Sequence, residues 1–231
     1  MSEVKNNEKV YSRRDVLKTA GKAAAGVAVA TVIPSFLTGC GKAEIPGKEV
    51  LSYEYIKAST DAPSFPYPYQ KLDPQTAVER AYAGYFNKGG CCRGVADAII
   101  GELGDKAGYP WNQVPIDAFA NGTTGYGAGT LCGSLGGACM AIGLAVPADD
   151  AKIMVNELFK WYKTTDLPIF QPDVKVDTVQ SVTVNCIDSV GEYMKVSGHS
   201  MADPERKARC ASIAADTAGK TVELINAYYN L

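Results

Sequence analysis

Histidine is almost absent from this sequence: His199 is the only one among 231 residues. It lies in Ser197-Gly198-His199-Ser200, a loop between helical patterns where a solvated histidine is the ordinary case. A noncovalent haem site built on it is therefore not expected. No cysteine begins a CxxCH pattern, so a c-type haem has no attachment site. Neither the CxxC pairs of a zinc ribbon nor the closely spaced cysteines of a ferredoxin run occur. Positive charge is not in excess, with 23 Lys and Arg against 25 Asp and Glu, so there is no electrostatic case for binding nucleic acid. A run of about 20 strongly apolar residues, as a spanning helix needs, is missing too. No carboxylate pair stands out for acid–base catalysis; Asp149-Asp150 reads as the cap and first turn of a helix, which favours negative charge.

What is present begins with an address. Ser12-Arg13-Arg14-Asp15 precedes a short Ala/Gly-rich apolar run from Ala23 to Leu37. Paired arginines before such a run mark a twin-arginine signal peptide, here residues 1–39. A membrane anchor, or a chance arginine pair, is the competing reading. Leu37-Thr38-Gly39-Cys40 resembles a lipobox, in which Cys40 becomes the lipid-modified first residue of a lipoprotein. Otherwise a different peptidase cuts there and Cys40 is an idle thiol. Export by the twin-arginine route places the mature chain in the periplasm, or anchored to the outer side of a membrane. Proteins exported folded often carry a cofactor inserted beforehand.

The remainder has an ordinary globular composition, 46% hydrophobic and 21% charged in the whole chain. Residues 40–72 read as a linker and an extended lead-in, where Pro63, Pro66 and Pro68 alternate with Phe65, Tyr67 and Tyr69. From residue 73 to 231 the signals are helical. Asp73-Pro74 is a cap with proline at the first helical position, and the helix ends at Gly89-Gly90. Helices are predicted over Cys91–Leu103, Leu131–Val146, Ala148–Thr164, about Val179–Val196, and from Asp203-Pro204 to Tyr228. In Ala148–Thr164 the inward face should hold Ile153, Met154, Leu158, Trp161 and Tyr162. Residues 104–130 are loop-like and glycine-rich near Gly127 and Gly129. No repeat and no convincing strand is visible, so the fold class is all-α, a single helical bundle.

Six cysteines remain: Cys91, Cys92, Cys132, Cys139, Cys186 and Cys210. Each lies on or at the start of a predicted helix. Buried thiols with one or two disulfides, a dithiol redox pair at Cys91-Cys92, and an iron–sulfur cluster held from four helices all fit that spacing. Backbone N–H groups of Gly127, Gly129 and Gly133 could approach cluster sulfurs.

Cys91, Cys132-Gly133-Ser134-Leu135-Gly136, Cys186 and Cys210 together resemble the redox-active family named for its C…GCAxxG…C…C pattern. Gly89-Gly90-Cys91-Cys92-Arg93-Gly94-Val95, Gly129-Thr130-Leu131-Cys132-Gly133, Glu157-Leu158-Phe159-Lys160-Trp161-Tyr162 and Arg206 through Cys210 are similar to its split-Soret cytochrome branch. Those cytochromes are dimeric electron-transfer proteins with c-type haems and an iron–sulfur centre. The resemblance implies a haem-free relative that keeps one iron–sulfur cluster on Cys91, Cys132, Cys186 and Cys210, with Cys139 outside it. Position 133 is Gly where the pattern has Ala, and Cys186-Ile187 stands where relatives tend to show Cys-His. The function implied is an exported, redox-active electron carrier rather than a catalyst, working with a redox partner protein, and the dimeric relatives imply a homodimer. The alternative is a membrane-tethered, disulfide-stabilised or thiol-redox domain without metal.

Overall fold

The computed structural model describes residues 65–231; the leader, Cys40 and the linker through residue 64 lie outside the described residues. Seven α-helices joined by short 3-10 and π turns make up the described region, and two isolated β-bridges take the place of any strand there. The all-α expectation holds. No described helix is long and apolar enough to cross a membrane.

The first helix, α1 (Pro74–Gly84), starts as its sequence predicts. The Asp73 carboxylate accepts from the Thr76 N–H at 2.7 Å, and Pro74 occupies the first helical position, where a missing N–H costs nothing. After a π turn over Tyr85–Gly89, α2 (Cys91–Ala96), a second π turn (Asp97–Gly101) and α3 (Glu102–Ala107) follow without a break. This run passes the predicted end at Leu103 by four residues. Arg80 of α1 grips Asp97 with two bonds, at 2.9 and 3.1 Å, clamping the two segments together.

Helix α4 (Gly133–Ala145) is buried almost throughout and packs on α2. In α5 (Ala148–Thr164), Ala151, Met154, Leu158 and Tyr162 form the buried stripe. Ile153, expected inward, is 68% exposed. At 100° per residue it lies one position off that stripe.

The helix predicted from Val179 begins only at Cys186, as α6 (Cys186–Ser197). The preceding backbone is already committed elsewhere. Leu167 and Val179 exchange two hydrogen bonds, and Ile169 and Phe170 donate to the Asp216 carboxylate. Helix α7 (Pro204–Tyr228) begins at its predicted proline, although Asp203 bonds back to Ser200 instead of capping it. It is the central element, buried over most of Ala208–Asn226 and packed on α1, α2 and α4.

The described part of the lead-in, residues 65–72, docks on this core. Tyr67 N–H donates to the Leu144 carbonyl at 2.8 Å, and the Trp111 indole N–H donates to the Pro68 carbonyl at 2.9 Å. Tyr69 stacks on Tyr229 and bonds Asn226. These aromatics serve packing, while Phe65 stays 60% exposed.

Candidate functional site

Cys91, Cys132, Cys186 and Cys210 line one cavity of about 20 Å³, together with Arg209 and Ser134. Cys91, Cys186 and Cys210 also border a second cavity of about 40 Å³, whose other walls include Tyr85, Thr123 and Arg206. Three of the four thiols thus border both small spaces, one walled by α4, α6 and α7, the other by Tyr85, Arg206 and the loop at Thr123 and Thr124.

Three of these cysteines sit at helix starts. Cys91 is the first residue of α2, Cys186 the first of α6, and Cys132 the N-cap of α4. The sequence suggested that Cys132 lay one residue inside its helix; it instead precedes the first turn. Helix N-termini present unpaired N–H groups and partial positive charge, which favour thiolates and other anions. Cys210 lies within α7, flanked by two guanidiniums: Arg206 stands one turn before it, with Nη1 3.9 Å from its Sγ, and Arg209 is adjacent in sequence.

A short antiparallel bridge holds two of the thiols in register. The N–H of Cys132 donates to the Val184 carbonyl at 2.8 Å, and the N–H of Cys186 donates to the Thr130 carbonyl at 2.6 Å. Two glycines allow the approach. A Cβ at Gly133 would stand 2.6 Å from the Cys91 sulfur, and one at Gly125 would stand 2.8 Å from Cβ of Cys186. Gly125 also has φ +59°, a conformation glycine adopts at little cost.

Of the glycines singled out in sequence, Gly133 touches the quartet. Gly127 and Gly129 border an apolar groove of about 520 Å³ that reaches Cys186 from outside. Cys92 is buried but does not line the thiol cavity; its sulfur faces Gly122 instead. Adjacent helical residues point 100° apart, which separates it from Cys91. Cys139, seven residues into α4, is also outside the cavity. All six described cysteines are free thiols. His199 stacks on Tyr193 at 6.1 Å and stands 3.5 Å from Asp203, only partly solvated.

The thiols crowd one another. Burial first, then the neighbouring Cys132, Cys210 and Cys186, push the Cys91 thiol well above its ordinary value. Burial, with Cys132 and Cys210, pushes Cys186 up to about 12. A bound cation reverses that logic, because it offsets the negative charge that the crowding penalises.

Three further observations bear on what the site can hold. The donors are soft sulfur ligands, suited to iron–sulfur clusters, zinc or copper(I). Among the described residues, no three His, Cys, Asp or Glu side chains close tightly enough to grip a single metal ion. Four thiols around a cavity rather than a point suit a group of several atoms held at its corners. Finally, Arg209 Nε, Ser134 Oγ and Thr123 Oγ1 are buried with no hydrogen-bond partner among the described residues. All three belong to residues lining the two cavities beside the thiols. Orphaned donors around a sulfur-lined space fit an anionic, acceptor-rich occupant.

Sequence reasoning missed Arg209, Ser134 and Thr123. The signal available was the spacing of Arg206 and Arg209 before Cys210 on a single helix.

Residues 91–224 match the family described as "Putative redox-active protein (C_GCAxxG_C_C)". The chain is 38% identical over 167 residues to split-Soret cytochrome c of Desulfovibrio desulfuricans, a match covering 68% of this chain and 59% of that protein. It therefore spans less than two thirds of that relative's length. A solved structure, described as showing a novel iron centre in the split-Soret cytochrome c from Desulfovibrio desulfuricans, superposes with a TM-score of 0.68 at 35% identity. That similarity covers 71% of this chain and 72% of the other.

Proposed function

Because this chain belongs to the redox-active C_GCAxxG_C_C family, we propose that it is an electron carrier holding an iron–sulfur cluster on Cys91, Cys132, Cys186 and Cys210. The observation that carries the reading is the shared cavity lined by those four thiols, drawn from four helices. The iron centre described for the split-Soret cytochrome c supports iron as the metal. When bound, such a group supplies one-electron redox chemistry without bond making or breaking in a substrate.

This chain's residues hold and polarise the site. Helix starts at Cys91, Cys132 and Cys186 direct positive potential at three thiolates. The N–H of Gly133, in the first turn of α4, is free to donate toward the cluster. Gly127 and Gly129 line the outer approach to Cys186, where an electron would leave for a partner protein. Cys186 is the partly exposed member of the quartet that reaches this groove, while Cys91 and Cys132 are buried.

The proposal includes export. Arg13-Arg14 direct the folded chain outward, and Cys40 anchors it by lipid to a membrane surface, where it works as a homodimer. The decisive measurement is iron and acid-labile sulfide in the full chain purified without air, beside its visible spectrum. Stoichiometric iron and sulfide with visible absorption is the expected result. A colourless, iron-free protein whose mass reports disulfides overturns the proposal in favour of a disulfide-stabilised or thiol-redox domain.

A further inference from the structure

Arg209 is 1% exposed, yet among the described residues no carboxylate lies within ion-pair distance of it. Its Nη2 donates to the Ser189 hydroxyl at 2.8 Å, its guanidinium carbon stands 5.5 Å from the Tyr193 ring centroid, and its Nε has no partner. Proteins do not deprotonate guanidinium. A buried cation without a counter-charge is strongly unfavourable, and one hydroxyl with one aromatic face does not offset the loss of water. The other charge-bearing groups lining its cavity are the four thiols.

Arg206, only partly buried, is a second guanidinium beside the thiols. It lies three residues earlier on α7 and borders the outer cavity with Cys91, Cys186 and Cys210.

We infer that Arg209 and Arg206 are the counter-charges of the thiol quartet and set the potential at which the site accepts an electron. The inference rests on the cluster reading of that quartet. Four thiolates carry four negative charges, and the iron atoms of a cluster offset only part of them. The added electron makes the site more negative by one charge. Two fixed cations beside it lower the free energy of the reduced state more than that of the oxidised state. Their removal therefore lowers the midpoint potential, while the ligands themselves are untouched.

The test uses the full chain, loaded and purified without air, as wild type, Arg209→Gln, Arg209→Lys and Arg206→Gln. Iron, acid-labile sulfide and midpoint potential are measured for each. Each glutamine variant should lower the reduced-to-oxidised ratio at the wild-type midpoint by about tenfold, which is 59 mV for one electron. Lysine at position 209 keeps the charge and should stay within about threefold of wild type. A purely structural role for Arg209 would change yield or melting temperature and leave the potential in place. Loaded glutamine variants within about threefold of the wild-type midpoint overturn the inference while leaving the cluster reading intact. A wild-type chain without iron and sulfide overturns the cluster reading, and the inference with it. Should Arg209→Gln fail to fold, Arg206→Gln decides alone: a tenfold fall supports the inference and an unchanged midpoint overturns it. Arg206 is only partly buried, and its Nε bonds the Met201 carbonyl at the surface.

Discussion

Cys132 and Cys186 are locked side by side by two backbone hydrogen bonds, Cys132 N–H to Val184 and Cys186 N–H to Thr130, at 2.8 and 2.6 Å. Each cysteine then starts a helix that runs away from the bridge. The geometry of this half of the site is therefore set by backbone, and side-chain rotation alone remains free. Cys91 and Cys210 close the ring from α2 and α7, which pack on each other in the core.

Ligand and bystander cysteines should separate by mutation. In Cys132→Ser, a soft thiolate gives way to a poorer hydroxyl ligand, and visible absorption and iron content should collapse. Cys139→Ala should keep both, with a stability loss of about 1 kcal/mol. An unchanged spectrum in Cys132→Ser removes this residue from the ligand set.

The bridge itself can be loosened. Gly125→Ala places a Cβ at φ +59° and within 2.8 Å of Cβ of Cys186 and 2.7 Å of the Thr130 nitrogen. The expected cost is more than about 1 kcal/mol in denaturant unfolding, with reduced iron retention. Wild-type stability and full iron in this variant would show that the loop yields without moving the cysteines.

Asp216 makes stability depend on pH. Burial raises its carboxyl to about 6, against the pull of two backbone N–H bonds from Phe170 and Ile169. Its value in the fold lies above that of the unfolded chain, so folding takes up a proton. The stabilisation is fully present below about pH 4 and is lost as pH rises through about 6. Asp216→Asn carries no such titration. Between pH 4 and 7 its unfolding free energy should gain about 2–3 kcal/mol on the wild type. Parallel stability curves for the two proteins across that range rule this out.

Burial pushes the half-exposed Cys139 thiol up to about 11. Since the thiolate is the nucleophile, its alkylation by iodoacetamide should be slow at pH 7 and rise about tenfold per pH unit up to pH 10. Mass spectrometry of the Cys139 peptide follows this directly. Equal rates at pH 7 and pH 9 would contradict the assigned environment.

Exchanging Arg13 and Arg14 together for lysine should leave the chain in the cytoplasm, as fractionation would detect. Cys40→Ser should permit export but release the protein from membranes into the soluble fraction. Normal export of the double-lysine variant excludes the twin-arginine route.

The sequence by itself determined the helices and the chemistry of their ends. Pro74 and Pro204 mark two starts, the first with the Asp73 carboxylate as its cap, because such signals act over one turn. The periodicity of Met154, Leu158 and Tyr162 marks a buried face, although Ile153, read with them, points outward. Such signals are local, so they survive without knowledge of the fold. Where local preference met long-range pairing, they failed: the run after Val179 has a helical pattern, but its backbone is bonded to Leu167 and Thr130, and the helix waits until Cys186. The resemblance picked Cys91 over Cys92, and tertiary structure supplies the reason: one step along a helix turns a side chain by 100°, so Cys91 lines the cavity and Cys92 does not. Tertiary structure alone decided that Arg209 is buried without a carboxylate, because burial and charge pairing depend on which helices meet around α7.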